Sequence, residues 1–99
     1  MEFSQELREA VIAGDITVSF RLWRRPHVRV GGRYRLGPAE IEVDGLDLVV
    51  ASTIEPEDVR RSGEPDVASL RRRAAHAGPV GDDTVLYRVE FHVVPPGGR

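Results

Sequence analysis

The sequence predicts a small α+β fold, a partly closed β-barrel with helices on one side. Its 99 residues are enough for one hydrophobic core. The hydrophobic pattern alternates between helical spacing and the two-residue spacing of a strand. It predicts the order helix, three strands, two helices, strand. These strands are too few and too interrupted for a doubly wound sheet, and the longest changes phase at Gly45, as a strand does where it bends at a barrel corner.

The first predicted element is a short amphipathic helix over residues 5–13. Apolar side chains recur there at helical spacing, Ser4 is a candidate N-cap, and Gly14 ends the helix.

The next element is a strand over residues 16–23, with one apolar and one polar face. The apolar face consists of alternating residues, Ile16, Val18, Phe20 and Leu22. The polar face carries two hydroxyls, a guanidinium and an indole, on Thr17, Ser19, Arg21 and Trp23. We expect the apolar face to anchor the strand in the core, which leaves the polar face for a ligand.

Three further strands are predicted after a loop over residues 24–32. A short one spans 33–36, and a long bent one spans 39–51. The last, over 84–94, has the clearest alternation in the chain.

Two helices lie between the last two strands. The first spans 56–62 and begins at a proline, and the second begins after the capping residue Asp66 and ends before Gly78. The arginine run within the second helix is interpreted as its exposed side. We predict a single domain over residues 1–94 and a disordered tail over 95–99.

The composition excludes several kinds of site. The chain has no cysteine, so a disulfide framework and a thiolate metal site are both impossible. The histidines lie far apart and show no metal-ligand spacing, so we predict no metal and no cofactor. All fourteen basic residues are arginine, which excludes a lysine base or Schiff base. No apolar run approaches a membrane span and the acidic N-terminus does not resemble a signal peptide, so a cytoplasmic protein without membrane contact is expected.

Charge is segregated along the chain, although the net charge is only −2. Residues 14–35 contain six arginines and no acidic residue after Asp15, whereas residues 40–66 contain nine acidic residues and two arginines. This pattern predicts a dipolar surface, whose basic side attracts anionic partners.

Four segments together resemble the ASCH domain family. They are GDITVSFR after a helix (Gly14–Arg21), VRVGGRYR (Val28–Arg35), IEPEDVRRSG (Ile54–Gly63) and YRVEFHVV (Tyr87–Val94). Their order and spacing cover about residues 3–94. The resemblance implies a PUA-like β-barrel of about five to six strands with flanking helices and a cleft beside the barrel.

The resemblance also implies a ligand, which is RNA or a modified nucleotide. Some members hydrolyse the amide of N4-acetylcytidine, and some are reported to cut RNA. The amidohydrolase members use a lysine and a threonine of the motif G-x-K-T-x-T-x-R, together with a glutamate near the short helix after the bent strand.

This chain matches the motif only in part. Gly14, Thr17 and Arg21 match, and Ser19 stands at the second, nucleophile-like threonine. Ile16 stands at the lysine position and cannot act as a base.

The glutamate position is also altered. It falls at about Ser62, and Glu64 lies two residues further along. The candidate catalytic residues are therefore Ser19 and Glu64, while the absence of lysine and glutamate argues against the amidohydrolase mechanism.

Ligand binding needs fewer groups than catalysis. The predicted ligand-binding residues are Thr17, Ser19, Arg21, Trp23, Arg24 and Arg25. A guanidinium suits a phosphate or a base edge, and an indole can stack a base. The alternative interpretations are that the indole covers the barrel end, that the hydroxyls are ordinary strand residues, and that the two loop arginines are merely solvated.

Three functional hypotheses remain open. The first is a binding module that recognises RNA, another single-stranded nucleic acid or a modified nucleoside through an Arg-rich cleft. The second is an ASCH-type hydrolase with Ser19 as nucleophile. The third is a regulatory domain that binds a partner protein. The sequence does not predict the oligomeric state.

Overall fold

The computed structural model describes residues 2–75 and 78–95. Its helices and strands are, in chain order, α1 (Gln5–Ile12), β1 (Val18–Arg21), β2 (Arg33–Leu36), β3 (Ala39–Val50), α2 (Pro56–Arg61), α3 (Val67–Ala74) and β4 (Val85–Val93), with a 3₁₀ turn at Ala51–Thr53. The predicted α+β class and the predicted order of elements are confirmed.

The strands form one antiparallel sheet in the order β1-β4-β3-β2. β4 is central, and β1 and β2 are the two edges. Among the residues that the structure describes, the sheet has four strands, and a closed barrel of five to six strands is not seen.

The predicted bend in the long strand is present as a β-bulge. The register of β3 against β4 shifts between Val43 and Gly45, so one extra residue, Asp44, is accommodated there. The bulge allows one continuous strand to keep apolar residues toward the core on both sides of it.

Two of the helix N-termini differ in how they are capped. Asp66 accepts a hydrogen bond from the backbone N–H of Ser69 at 2.7 Å, as the sequence predicts for α3. Ser4 occupies the cap position of α1 but makes no side-chain cap. Its hydroxyl instead accepts a hydrogen bond from Arg73 on α3.

Both faces of the sheet carry a buried apolar cluster. The first cluster comprises Phe3, Val11, Ile16, Val28, Leu36, Ile41, Val43, Val89 and Phe91. The second comprises Val18, Phe20, Ala51, Val59, Leu70, Ala74 and Leu86, and joins α2 and α3 to the sheet.

The predicted first strand is too long, and its apolar face is divided. β1 begins at Val18, and Ile16 belongs to the first cluster whereas Val18 and Phe20 belong to the second. The reason is a contact distant in sequence: the backbone N–H of Thr17 donates to the carbonyl of Arg61 in α2 and not to β4. The chain therefore enters the regular ladder one residue after Thr17.

The C-terminal predictions are only partly within the structure. Val94 donates a backbone hydrogen bond to Glu40 at 2.8 Å and so extends the contact between β4 and β3. The tail predicted over 95–99 lies outside the described residues except for Pro95. Within residues 2–75 and 78–95, no helix is long and apolar enough to cross a membrane.

Candidate functional site

A pocket of about 390 Å³ lies between α1, β1 and α3. Its apolar lining consists of Phe3, Leu7, Phe20, Leu70 and Ala74. Its polar lining consists of Glu2, Ser4, Ser19, Arg21, Ser62, Glu64 and Arg73. The volume falls in the range of small-molecule sites, and the mixture of apolar walls and a few polar groups is typical of them.

Ser19 and Arg21 reach this pocket together because alternate residues of a strand share a face. The Nε of Arg21 donates to the Ser19 hydroxyl at 2.8 Å, and its Nη2 donates to the main-chain carbonyl of Glu2 at 2.6 Å. The guanidinium carbon also lies 4.9 Å from the centre of the Phe3 ring. These contacts hold the guanidinium in one orientation before any ligand arrives.

Arg21 forms no direct ion pair in the described residues, although the Glu2 carboxylate belongs to the same pocket lining. Within the described part of the chain, no acidic side chain forms an ion pair with it, and its Nη1 makes no hydrogen bond. Burial lowers the pKa of this guanidinium, and the Glu2 carboxylate partly offsets that effect. An arginine keeps its proton at neutral pH, so the pocket contains a fixed cation with donors to spare.

Glu64 lines the same pocket as Ser19, but its carboxylate is paired. Its side chain is only 6% exposed and accepts a hydrogen bond from the Nε of Arg73. The same guanidinium binds Glu6 at 2.8 Å, so Arg73 links α3, α1 and the loop before α3 across one wall of the pocket. Ser62, at the position implied for the glutamate, is buried and donates its hydroxyl to the carbonyl of Val59.

Thr17 does not line the pocket. Its hydroxyl accepts from the Nε of Arg61, whose Nη2 binds Glu90 at 2.8 Å. Arg88 binds the same glutamate and, through two nitrogens at 2.7 and 3.0 Å, Asp58 of α2. Hydrogen bonds from the arginines lower the pKa of both carboxyl groups. Thr17 therefore belongs to an ionic network that fastens α2 to the sheet.

Trp23, Arg24 and Arg25 also lie outside the pocket lining. The Trp23 ring stacks on His27 with 4.5 Å between centroids, lies 5.9 Å from Tyr87 and packs against the first apolar cluster. Arg24 and Arg25 are exposed and form no ion pair with any residue that the structure describes. The six predicted binding residues are thus divided: Ser19 and Arg21 lie in the pocket and the other four do not.

The structure also assembles three potential metal ligands that the sequence spacing does not reveal. Glu42 and His92 are paired across β3 and β4, and the bulge adds Asp44, so one ligand atom of each lies within 4.8 Å of the others. His92 is hydrogen-bonded to Asp44 at 2.8 Å, and Glu42 binds Arg33 at 3.0 Å. Each of the three side chains therefore already has a hydrogen-bond or ion-pair partner.

Comparisons with known proteins bear on the fold. No protein-family model and no curated protein matches the sequence. The solved ASCH domain from Lactobacillus crispatus JV V101 is similar with a TM-score of 0.67 at 14% identity, over 89% of this chain and 70% of that chain. A DUF984 protein from Enterococcus faecalis V583 is similar with a TM-score of 0.66 at 15% identity, over 90% of this chain and 70% of that one. The chain thus has the fold of an ASCH domain, as its four sequence segments predict.

Proposed function

We propose that this chain is a nucleic-acid-binding domain of the ASCH, PUA-like type, which holds one nucleotide of an RNA, or a modified nucleotide, in the pocket beside β1. The observation that carries the proposal is Arg21: a guanidinium held in place by Ser19, Glu2 and Phe3, with no carboxylate partner in the described residues, at a pocket of about 390 Å³. A half-buried cation without an ion-pair partner destabilises the folded protein, and the charged hydrogen bonds that an anionic ligand makes with it offset this destabilisation.

In this proposal, different side chains of the pocket contact the base and the phosphates. The apolar side chains Phe3, Leu7 and Leu70 face the ring of the base, while Arg21 binds a phosphate or the polar edge of the base. Arg24 and Arg25 lie three and four residues after the end of β1 and are exposed, so they bind neighbouring phosphates of the same RNA. The ASCH-type fold is compatible with this role and does not by itself assign it.

Binding should depend strongly on salt. If three or more phosphates are contacted, raising the salt concentration about fourfold should weaken binding of a single-stranded RNA by about tenfold or more. Fluorescence anisotropy with a labelled RNA of about ten nucleotides at two salt concentrations measures this effect. An oligomer of the same bases on an uncharged backbone is the control and should show little salt dependence. The absence of binding, or equal binding of both oligomers at low salt, would contradict the proposal.

Hydrolysis is a second candidate function, favoured because Ser19 and Glu64 line one pocket. Ser19 accepts its hydrogen bond from Arg21, which leaves its own proton available to a base. Glu64 is the candidate base that the sequence predicts, but Arg73 binds its carboxylate. Purified protein should then convert N4-acetylcytidine or labelled RNA in a reaction that Ser19→Ala abolishes. Survival of both substrates through a long incubation would exclude this function.

A further inference from the structure

The free edge of β1 borders the pocket. β1 pairs only with β4, so one side of its backbone has no neighbouring strand among the described residues. In an antiparallel pair, opposite residues alternate between those that exchange hydrogen bonds and those that do not. The direction of each backbone group on β1 can therefore be obtained from one known bond.

That bond joins Phe91 to Thr17: the N–H of Phe91 in β4 donates to the Thr17 carbonyl at 2.9 Å. The pairs two and four residues further along, Ser19 with Val89 and Arg21 with Tyr87, are consequently the hydrogen-bonded ones. The intervening residues of β1, Val18 and Phe20, turn their N–H and C=O groups away from β4.

The far side of β4 confirms this alternation. Val43 of β3 is paired with Phe91. Its backbone groups point away from β4, because its N–H donates to Gly32 and its carbonyl accepts from Gly31, both just before β2. Val43 and Phe91 are therefore a pair without mutual hydrogen bonds, which leaves the Phe91 backbone facing β1.

Phe20 is the edge residue that lines the pocket. Its side chain packs in the second apolar cluster, and the residue as a whole is 7% exposed. Across residues 2–75 and 78–95, neither its N–H nor its C=O has a hydrogen-bond partner outside the ladder. A backbone donor and acceptor that point the same way without partners are a ready pair of hydrogen-bonding groups.

We propose that the pocket recognises a nucleobase by its Watson–Crick edge, which forms a donor–acceptor pair of hydrogen bonds with the N–H and C=O of Phe20. This inference rests on the proposed nucleotide binding and names the groups that would read the base. The Watson–Crick edge of an unpaired base presents a neighbouring donor and acceptor, as the edge of a β-strand does. Ser19 and Arg21 lie on either side of Phe20 in the strand, which places the phosphate-binding cation next to the base-reading groups.

Amide hydrogen exchange followed by NMR tests this inference in the full chain. In the free protein, the Phe20 amide should exchange faster than the Ser19 and Arg21 amides, which are bonded to β4 and serve as matched controls. Saturation with the tightest-binding of the four nucleoside 5′-monophosphates should slow exchange at Phe20 by about tenfold or more, the effect of about one added hydrogen bond, and leave the two controls unchanged.

A modified ligand gives an independent measurement. Methylation of the Watson–Crick edge of that base, for example 3-methyluridine in place of uridine, should lower affinity by about tenfold. The inference is overturned if Phe20 is as protected as its neighbours in the free protein, or if a nucleotide binds while the Phe20 amide and the methylated analogue are unaffected. If neither the nucleotides nor a short RNA bind at all, the proposed function fails, and this inference fails with it.

Discussion

Replacing Arg21 by alanine should lower the affinity for single-stranded RNA by at least about tenfold, because a charged hydrogen bond contributes about 1.5–3 kcal/mol. The substitution removes the guanidinium that β1 contributes to the pocket. Among the described residues, this guanidinium has no ion-pair partner. Anisotropy titrations at constant salt measure the change in dissociation constant. The salt dependence should also become shallower by the equivalent of about one phosphate contact.

Arg35→Ala is the matched control, because it removes the same charge from the opposite edge of the sheet. Arg35 lies on β2, is exposed and is separated from β1 by β3 and β4. If binding reflects only the total charge of the arginine-rich segment, both variants will weaken it equally, and the pocket is not the binding site. Thermal midpoints of both variants are needed, since Arg21 also holds Phe3 and the Glu2 carbonyl. Arg21→Lys keeps the charge and should restore only part of the affinity.

The parts of this fold that the sequence predicts are those determined by local periodicity. The phase change at Gly45 predicts the bulge because a two-residue period reveals an extra residue directly. Asp66 predicts the start of α3 because the capping bond to Ser69 is made within one turn. In both cases the residues that determine the structure are neighbours in the chain.

The features that the sequence does not predict depend on contacts distant in sequence. β1 begins late because Thr17 is bonded to Arg61, which is 44 residues away. Arg73 is exposed, as the sequence predicts for that side of the helix, but its place in the pocket wall depends on Glu6, which is 67 residues away. Trp23 follows the end of β1, so strand alternation does not place it beside Arg21, and its ring packs on His27.

Of the two positions that differ most from the ASCH resemblance, one lies against the chain neighbour of the other. Ile16 stands where the resemblance implies a lysine, and Ser62 where it implies a glutamate. A Cβ atom on Gly63, the neighbour of Ser62, would lie 2.5 Å from the Cδ1 of Ile16. Ile16 and Ser62 are both buried and uncharged, and a charge at either position would have to be buried with a partner. Neither side chain can act as a general base, which favours the proposed binding over the proposed hydrolysis.

Replacing Gly63 by alanine should lower the free energy of unfolding by about 2–5 kcal/mol. Gly63 has φ +81°, a conformation that costs an L-residue about 1–2 kcal/mol. The new methyl group must also displace Ile16, which is 3% exposed and belongs to the first apolar cluster, and such overpacking costs about 1–3 kcal/mol. Urea denaturation monitored by the fluorescence of Trp23 measures the loss.

Gly31→Ala separates the two contributions. Gly31 has nearly the same backbone angle, φ +83°, but nothing lies within 4 Å of an added Cβ, so this variant should lose only the backbone contribution. In the Gly63→Ala background, Ile16→Val removes the colliding Cδ1 atom and should restore part of the stability, although the same change destabilises the parent protein. Equal losses in the two glycine variants, or an Ile16→Val effect that is the same in both backgrounds, would show that Ile16 and Gly63 are not in the contact described.

Because Ser62 and Glu64 flank Gly63 in the pocket lining, the same variants also test whether that contact shapes the ligand site: a Gly63→Ala protein that is still folded should bind RNA more weakly than the Gly31→Ala protein.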